Sequence, residues 1–136
     1  MAKVIFLKTT GSLLQWTVPQ DWNSLNNSIE CIGGGGGGGG NGRGGGGGGA
    51  YAKITNLVLT PGASVSYRVG AKGLGGGASG SHGGDTWFNG TDMSNCSVGA
   101  KGGQAGPSDE GGPGGSASAS VGSVKFSGGT GGESTP

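Results

Sequence analysis

The chain has 136 residues, room for one domain, but 39 are glycine, while Leu, Ile, Val and Phe together fill only 22 positions. So small an apolar share excludes an ordinary globular enzyme. Eight basic and seven acidic side chains leave a net charge of +1, which excludes a chain held open by self-repulsion and a basic field for nucleic acid or an anionic membrane.

Along the chain, the first apolar block is Lys3–Thr9, rich in β-branched and aromatic residues and therefore expected to be a strand. Its uninterrupted apolar run, Val4–Leu7, is too short for the core of a signal peptide, so export by the general route is not expected. No stretch approaches the length needed to span a bilayer. Ser12–Val18 alternates through Leu14, Trp16 and Val18, which places Trp16 in a core; Pro19–Asn23 then breaks the run. Trp22 lies in that break, where an indole either caps a small core or docks on a partner. Ser28–Ile32 resumes as strand with Ile29 and Cys31 on one face. Tyr51–Thr60 and Ser64–Val69 flank Pro61-Gly62-Ala63, a connection suited to a hairpin. Thr86-Trp87-Phe88 opens another strand-like stretch, with its aromatic pair read as packing in preference to a binding platform. The sequence thus predicts one all-β domain over 1–136, with β-forming segments 3–32, 51–69, 86–98 and 121–127 and a flexible tail 128–136.

Glycine fills the gaps between these segments. Three tracts, 33–49, 70–85 and 99–115, have lengths of 17, 16 and 17, and each is flanked by apolar segments. The pentapeptide Val69-Gly-Ala-Lys-Gly73 recurs as Val98-Gly-Ala-Lys-Gly102, each copy opening a tract. Flexible linkers have no reason to share a length, so these are read as three out-and-back excursions. Glycine is poor in both helix and sheet, but it can adopt the left-handed threefold extended helix, whose backbone groups point outward to neighbouring helices. The expected architecture is a small β-sheet or sandwich base carrying three excursions packed as a polyglycine II helix bundle.

Enzymatic chemistry is not expected. His82 is the sole histidine, which leaves no His-rich metal cluster, and no phosphate-binding loop ends in Lys-Ser or Lys-Thr. No cofactor is implied. Cys31 and Cys96 both lie near strand ends; a disulfide would close a long loop, whereas a reducing cytoplasm favours two free thiols.

Trp16-Thr-Val-Pro19, then Ile29-Glu-Cys-Ile-Gly-Gly34, Tyr51–Gly70, and the stretch from Gly83-Gly-Asp-Thr-Trp-Phe88 to Ala100-Lys-Gly-Gly103 resemble the glycine-rich domains of phage and prophage tail-fibre proteins. The glycine pattern is also similar to that of the tip adhesins of long tail fibres, whose packed polyglycine helices carry host-binding loops. The resemblance implies a virion protein, made in the host cytoplasm and found on the particle. Its implied partners are other virion proteins of the fibre, tail or capsid, and a host surface protein or polysaccharide, with a homotrimer as one assembly. A head or tail decoration or spike protein without its own receptor is the alternative. An ice-binding protein is a further one, because flat polyglycine bundles present regular surfaces to water.

Excursions that turn at their midpoints place tips at 41–43, 78–82 and 107–110. Asn41, Ser79, Ser81 and Ser108 can exchange hydrogen bonds with sugar hydroxyls, and Arg43 can clamp a phosphate or carboxylate. Asp109 and Glu110 can accept from hydroxyls or amines, and His82 lies at the second tip. These residues are candidate receptor contacts, although turns favour Asn, Gly, Pro, Ser and Asp for conformational reasons alone.

Overall fold

A computed structural model describes residues 3–77, 80–107 and 109–134. Among them there is no helix, and seven strands form two antiparallel sheets. One sheet runs in the order β1 (Leu14–Thr17), β4 (Ser64–Arg68), β5 (Thr86–Phe88), β6 (Val98–Ala100). The other runs β2 (Ser28–Ile32), β3 (Tyr51–Thr55), β7 (Val124–Phe126).

Period-two alternation decides which side chains enter the core. Val65 and Tyr67 of β4 are buried between Ser64, Ser66 and Arg68, while Ile29 and Cys31 of β2 face inward between Ser28, Glu30 and Ile32. The two sheets meet where β2 and β3 pack against β5 and β6. Ala52, Val98 and Ala100 are fully enclosed there, and small side chains at this contact let the sheets approach closely. Trp16 packs edge-on against Trp22 and Phe88, with ring centroids 6.0 and 5.6 Å apart. Trp87 and Phe88 are both buried, as the packing interpretation expected.

Two expectations about the base do not hold. Lys3–Thr9 is not a strand; only Thr10 forms a bridge, parallel to Val69. Leu7 packs on the core while Val4 and Phe6 remain 70% and 76% exposed. Its β-branched residues favour an extended backbone, but a strand also needs a sheet edge in register, and none is aligned with this segment. Nor do the segments around Pro61-Gly62-Ala63 form a hairpin, since β3 and β4 belong to different sheets. Asn56, at φ 58°, turns the chain out of β3, and Leu57 is held by the Asn27 side chain. The Pro-Gly turn instead pairs with Val18, which exchanges bonds with Gly62 and Ala63.

The glycine tracts are folded back on themselves and bonded to one another. Gly33, Gly36 and Gly39 donate to Ala50, Gly47 and Gly44 of their own return arm. Gly34 and Gly37 donate to Gly84 and Ser81, and Gly35 and Gly38 accept from Gly73 and Gly76. Each neighbour is thus served by every third residue, the period of a threefold extended helix. The bonding places arms 70–76, 33–39, 44–49 and 128–132 in one row, with arms 80–85, 101–106 and 111–115 in the grooves of a second row. Residues 128–132, the first part of the expected flexible tail 128–136, supply an arm of the bundle. Gly128 and Gly131 donate to Gly115 and Gly112, while Gly129 and Gly132 accept from Gly48 and Gly45. The Gly-Gly-Thr-Gly-Gly run repeats the arm composition over a length too short to register as an excursion.

Cys31 and Cys96 are free thiols. Cys31 lies in the core, where burial, and secondarily the proximity of Cys96, pushes its thiol up to about 12. Burial also raises the half-buried Cys96 thiol.

A Cβ on Gly37 would lie 2.1 Å from the Leu74 carbonyl oxygen, whereas the nearest atom to one on Gly35 is 3.7 Å away. Thermal unfolding should therefore find Gly37→Ala destabilised by about 3 kcal/mol or unable to fold, and Gly35→Ala within about 1 kcal/mol of the parent. With a thiol reagent at mildly alkaline pH, Cys96 should react before Cys31. Raising the pH should not accelerate Cys31 until the thiolate forms far into the alkaline range, whereas unfolding should expose both thiols at once.

Candidate functional site at the bundle tips

The first excursion turns at Asn41-Gly42, both left-handed with φ 57° and 72°. Asn-Gly is the residue pair that tolerates two consecutive positive φ values, so the chain reverses here in the fewest residues. Gly39 donates to Gly44 below the turn, and Arg43 donates its N–H to Gly40. Asn41 and Arg43 are exposed at its apex.

The second and third turns flank the first. Gly76 donates to Gly38 and Gly40 donates to Gly77, which fixes the second turn against one side. On the other side a Cβ on Gly44 would strike the Glu110 carbonyl oxygen, so the third turn lies at backbone contact. Ser134 donates to the Asp109 carbonyl, bringing Glu133 to the same end. The exposed charges gathered there are Arg43, Asp109, Glu110 and Glu133, one positive and three negative. Among the described residues no ion pair joins Arg43 to these carboxylates. The group is open to a ligand carrying hydroxyls or amines for the carboxylates and an anionic group for Arg43.

Ser79 and Ser108 lie outside the described residues. Ser81 and His82 sit below the tip, where their polar atoms tie arms together. The Ser81 hydroxyl accepts from the Leu74 N–H at 2.8 Å, and His82 Nδ1 accepts from the Ala105 N–H at 2.9 Å. Trp22 is half-buried against the core and donates its indole N–H to the Leu57 carbonyl at 3.2 Å. Glu133 escaped the sequence reading because the arm that delivers it was not recognised; the glycine pairs at 128–129 and 131–132 were the available signal.

At the opposite end, beside the base, Asp85 ties the 80–85 arm to the 101–106 arm. Its carboxylate accepts from the Gly102 N–H at 2.8 Å and from Lys101 Nζ at 3.2 Å. A cleft of about 640 Å³ lies between the 3–8 segment and the sandwich, lined in part by Trp16, Trp22, Ile29 and Phe88. Among the described residues no group of His, Cys, Asp or Glu is arranged to hold a metal ion. Among the described residues no helix is long and apolar enough to cross a membrane.

Residues 8–135 match the family model described as a glycine-rich domain, and the chain belongs to that family. No curated protein matches it.

Stability and tip chemistry are separable by substitution. Asp85→Ala should lower stability by about 1.5 kcal/mol through loss of its charge-assisted bonds, and Arg43→Ser should change it by less than about 0.5 kcal/mol. Chemical denaturation of the two variants against the parent measures both.

Proposed function

We propose that this member of the glycine-rich domain family is a non-enzymatic bacteriophage virion structural protein, a tail-fibre or tail-tip adhesin that binds the host surface through its bundle tips. The observation that carries the proposal is the convergence at one end of the bundle of the first turn, of residues 109–110 of the third and of the end of the 128–132 arm, each with exposed charged side chains. The base lies at the other end of arms roughly 20 Å long, at about 3.1 Å per residue, leaving its sheets for attachment to the particle. The short backbone bonds among the arms make a stiff stalk for a contact surface. A carbohydrate or glycosylated protein supplies the hydroxyl, amine and anionic groups that Asn41, Arg43, Asp109 and Glu110 can bind.

One observation favours ice binding as a second reading. The outward positions of three adjacent arms are Gly35 and Gly38, Gly45 and Gly48, and Gly129 and Gly132; none would place a Cβ closer than 3.4 Å to another atom. They form a side-chain-free face of regular repeat. Thermal hysteresis in the purified protein would support that reading in place of adhesion.

The adhesive reading is tested by the triple variant Arg43→Ser, Asp109→Ser, Glu110→Ser. Its thermal midpoint should match the parent's, because exposed turn charges contribute little, while its adsorption to host cells should be lost. Unchanged adsorption by the folded variant overturns the tip assignment.

A further inference from the structure

The outer face of the β2-β3-β7 sheet carries an apolar ridge three strands wide. Register pairs Ile32 with Tyr51 and Tyr51 with Phe126, so the three side chains stand in one row across the sheet. Ile32 is 67% and Phe126 63% exposed, and the Tyr51 and Phe126 rings lie 6.0 Å apart. The next outward row is Glu30, Lys53 and Val124, with Val124 also exposed. A solvent-facing sheet surface ordinarily alternates toward polar residues at these positions, and an exposed apolar row marks a contact surface.

The charges in the second row indicate the occupant. Glu30 and Lys53 are direct cross-strand neighbours, yet they do not form an ion pair among the described residues. Glu30 instead accepts the Tyr51 hydroxyl, which directs its carboxylate toward the apolar row and leaves the Lys53 ammonium without a carboxylate partner. A twofold axis in the contact plane, parallel to the strands and between β2 and β3, satisfies both rows together. It sets Ile32 over the partner's Tyr51 and Glu30 over the partner's Lys53, with Phe126 against the flank of the partner's Ile32. Such contacts are isologous, and stacked sheets about 10 Å apart allow side chains from the two faces to meet.

We propose that a second copy of this chain docks on this face, forming a twofold dimer through Ile32, Tyr51 and Phe126 with reciprocal Glu30–Lys53 pairs. The dimer is independent of any receptor. It presents two bundles, and hence two sets of tips, from one base.

Sedimentation equilibrium of the full chain, from micromolar concentration upward, tests the proposal. The expected result is a monomer–dimer equilibrium. Ile32→Asp should abolish it with the thermal midpoint unchanged, because that side chain is mostly exposed in the monomer. Glu30→Lys should weaken it at least about tenfold by setting like charges together, and the exchange Glu30→Lys with Lys53→Glu should recover the lost association. A monomer at every concentration, a trimer, a dimer that survives Ile32→Asp, or a charge exchange that fails to restore association overturns the proposal. Because the readout is mass, failure here leaves the adhesive reading untouched, and loss of adsorption in the tip variant leaves the dimer untouched.

Discussion

The structure depends on direct hydrogen bonding between backbones with no side chain between them. A Cβ on Gly36, Gly46 or Gly103 would come within about 2 Å of a carbonyl oxygen on the adjacent arm. Neighbouring arms therefore approach as closely as backbone atoms permit. That approach turns successive N–H groups into bonds with different neighbours, so the bundle is held in two dimensions, unlike a sheet, which bonds only within its plane. A chain with so few large apolar residues can be ordered in this way because much of its interior is peptide in place of hydrocarbon.

Such an interior carries a high conformational entropy cost, since glycine loses more freedom on folding than any other residue. The β base offsets part of that cost by fixing both ends of an excursion. The first leaves from β2 at Ile32 and re-enters β3 at Tyr51, whose register pairs these same two residues. Pairing of these two strands closes the loop, so the arms are ordered between fixed ends. Polar side chains then tie neighbouring arms to one another: Asp85 to Gly102, His82 to Ala105, and Ser81 to Leu74. Each supplies an acceptor where a peptide carbonyl would otherwise be needed, which is why two residues of the predicted second tip have their polar atoms committed to the fold.

What could be read from the sequence follows the same division. Strands with a buried face were legible, because alternation in Leu14–Trp16, Ile29–Cys31 and Val65–Tyr67 reports one wet and one dry side. The first tip was legible through Asn41-Gly42, a pair with a specific backbone preference. Segments whose state depends on a distant edge were not. Lys3–Thr9 has strand composition but no aligned edge, and Tyr51–Thr60 looks like one arm of a hairpin until Asn56 diverts it. The 128–132 arm was hidden for a related reason: glycine composition is the same in a loose tail and in a bonded arm, and only the vacant position beside the 44–49 arm distinguishes them. Partner choice among glycine arms leaves no side-chain record.

That same anonymity separates the tips from the rest of the molecule. In a sandwich whose loops pack on its core, changing a loop residue disturbs buried apolar contacts. Here the two bonded arms below the first turn are joined by Gly39–Gly44 and the next bonds down, none of which involves the side chains of Asn41 or Arg43. The turn constrains its residues through φ at Asn41 and Gly42 and leaves Arg43 almost free. At the third turn the Asp109 carbonyl accepts from Ser134, and among the described residues the carboxylates of Asp109 and Glu110 take no part in the bonding. A fold built in this way can vary the chemistry of its tips with little effect on its stability, because the interactions that order the arms end one residue short of the side chains available for recognition.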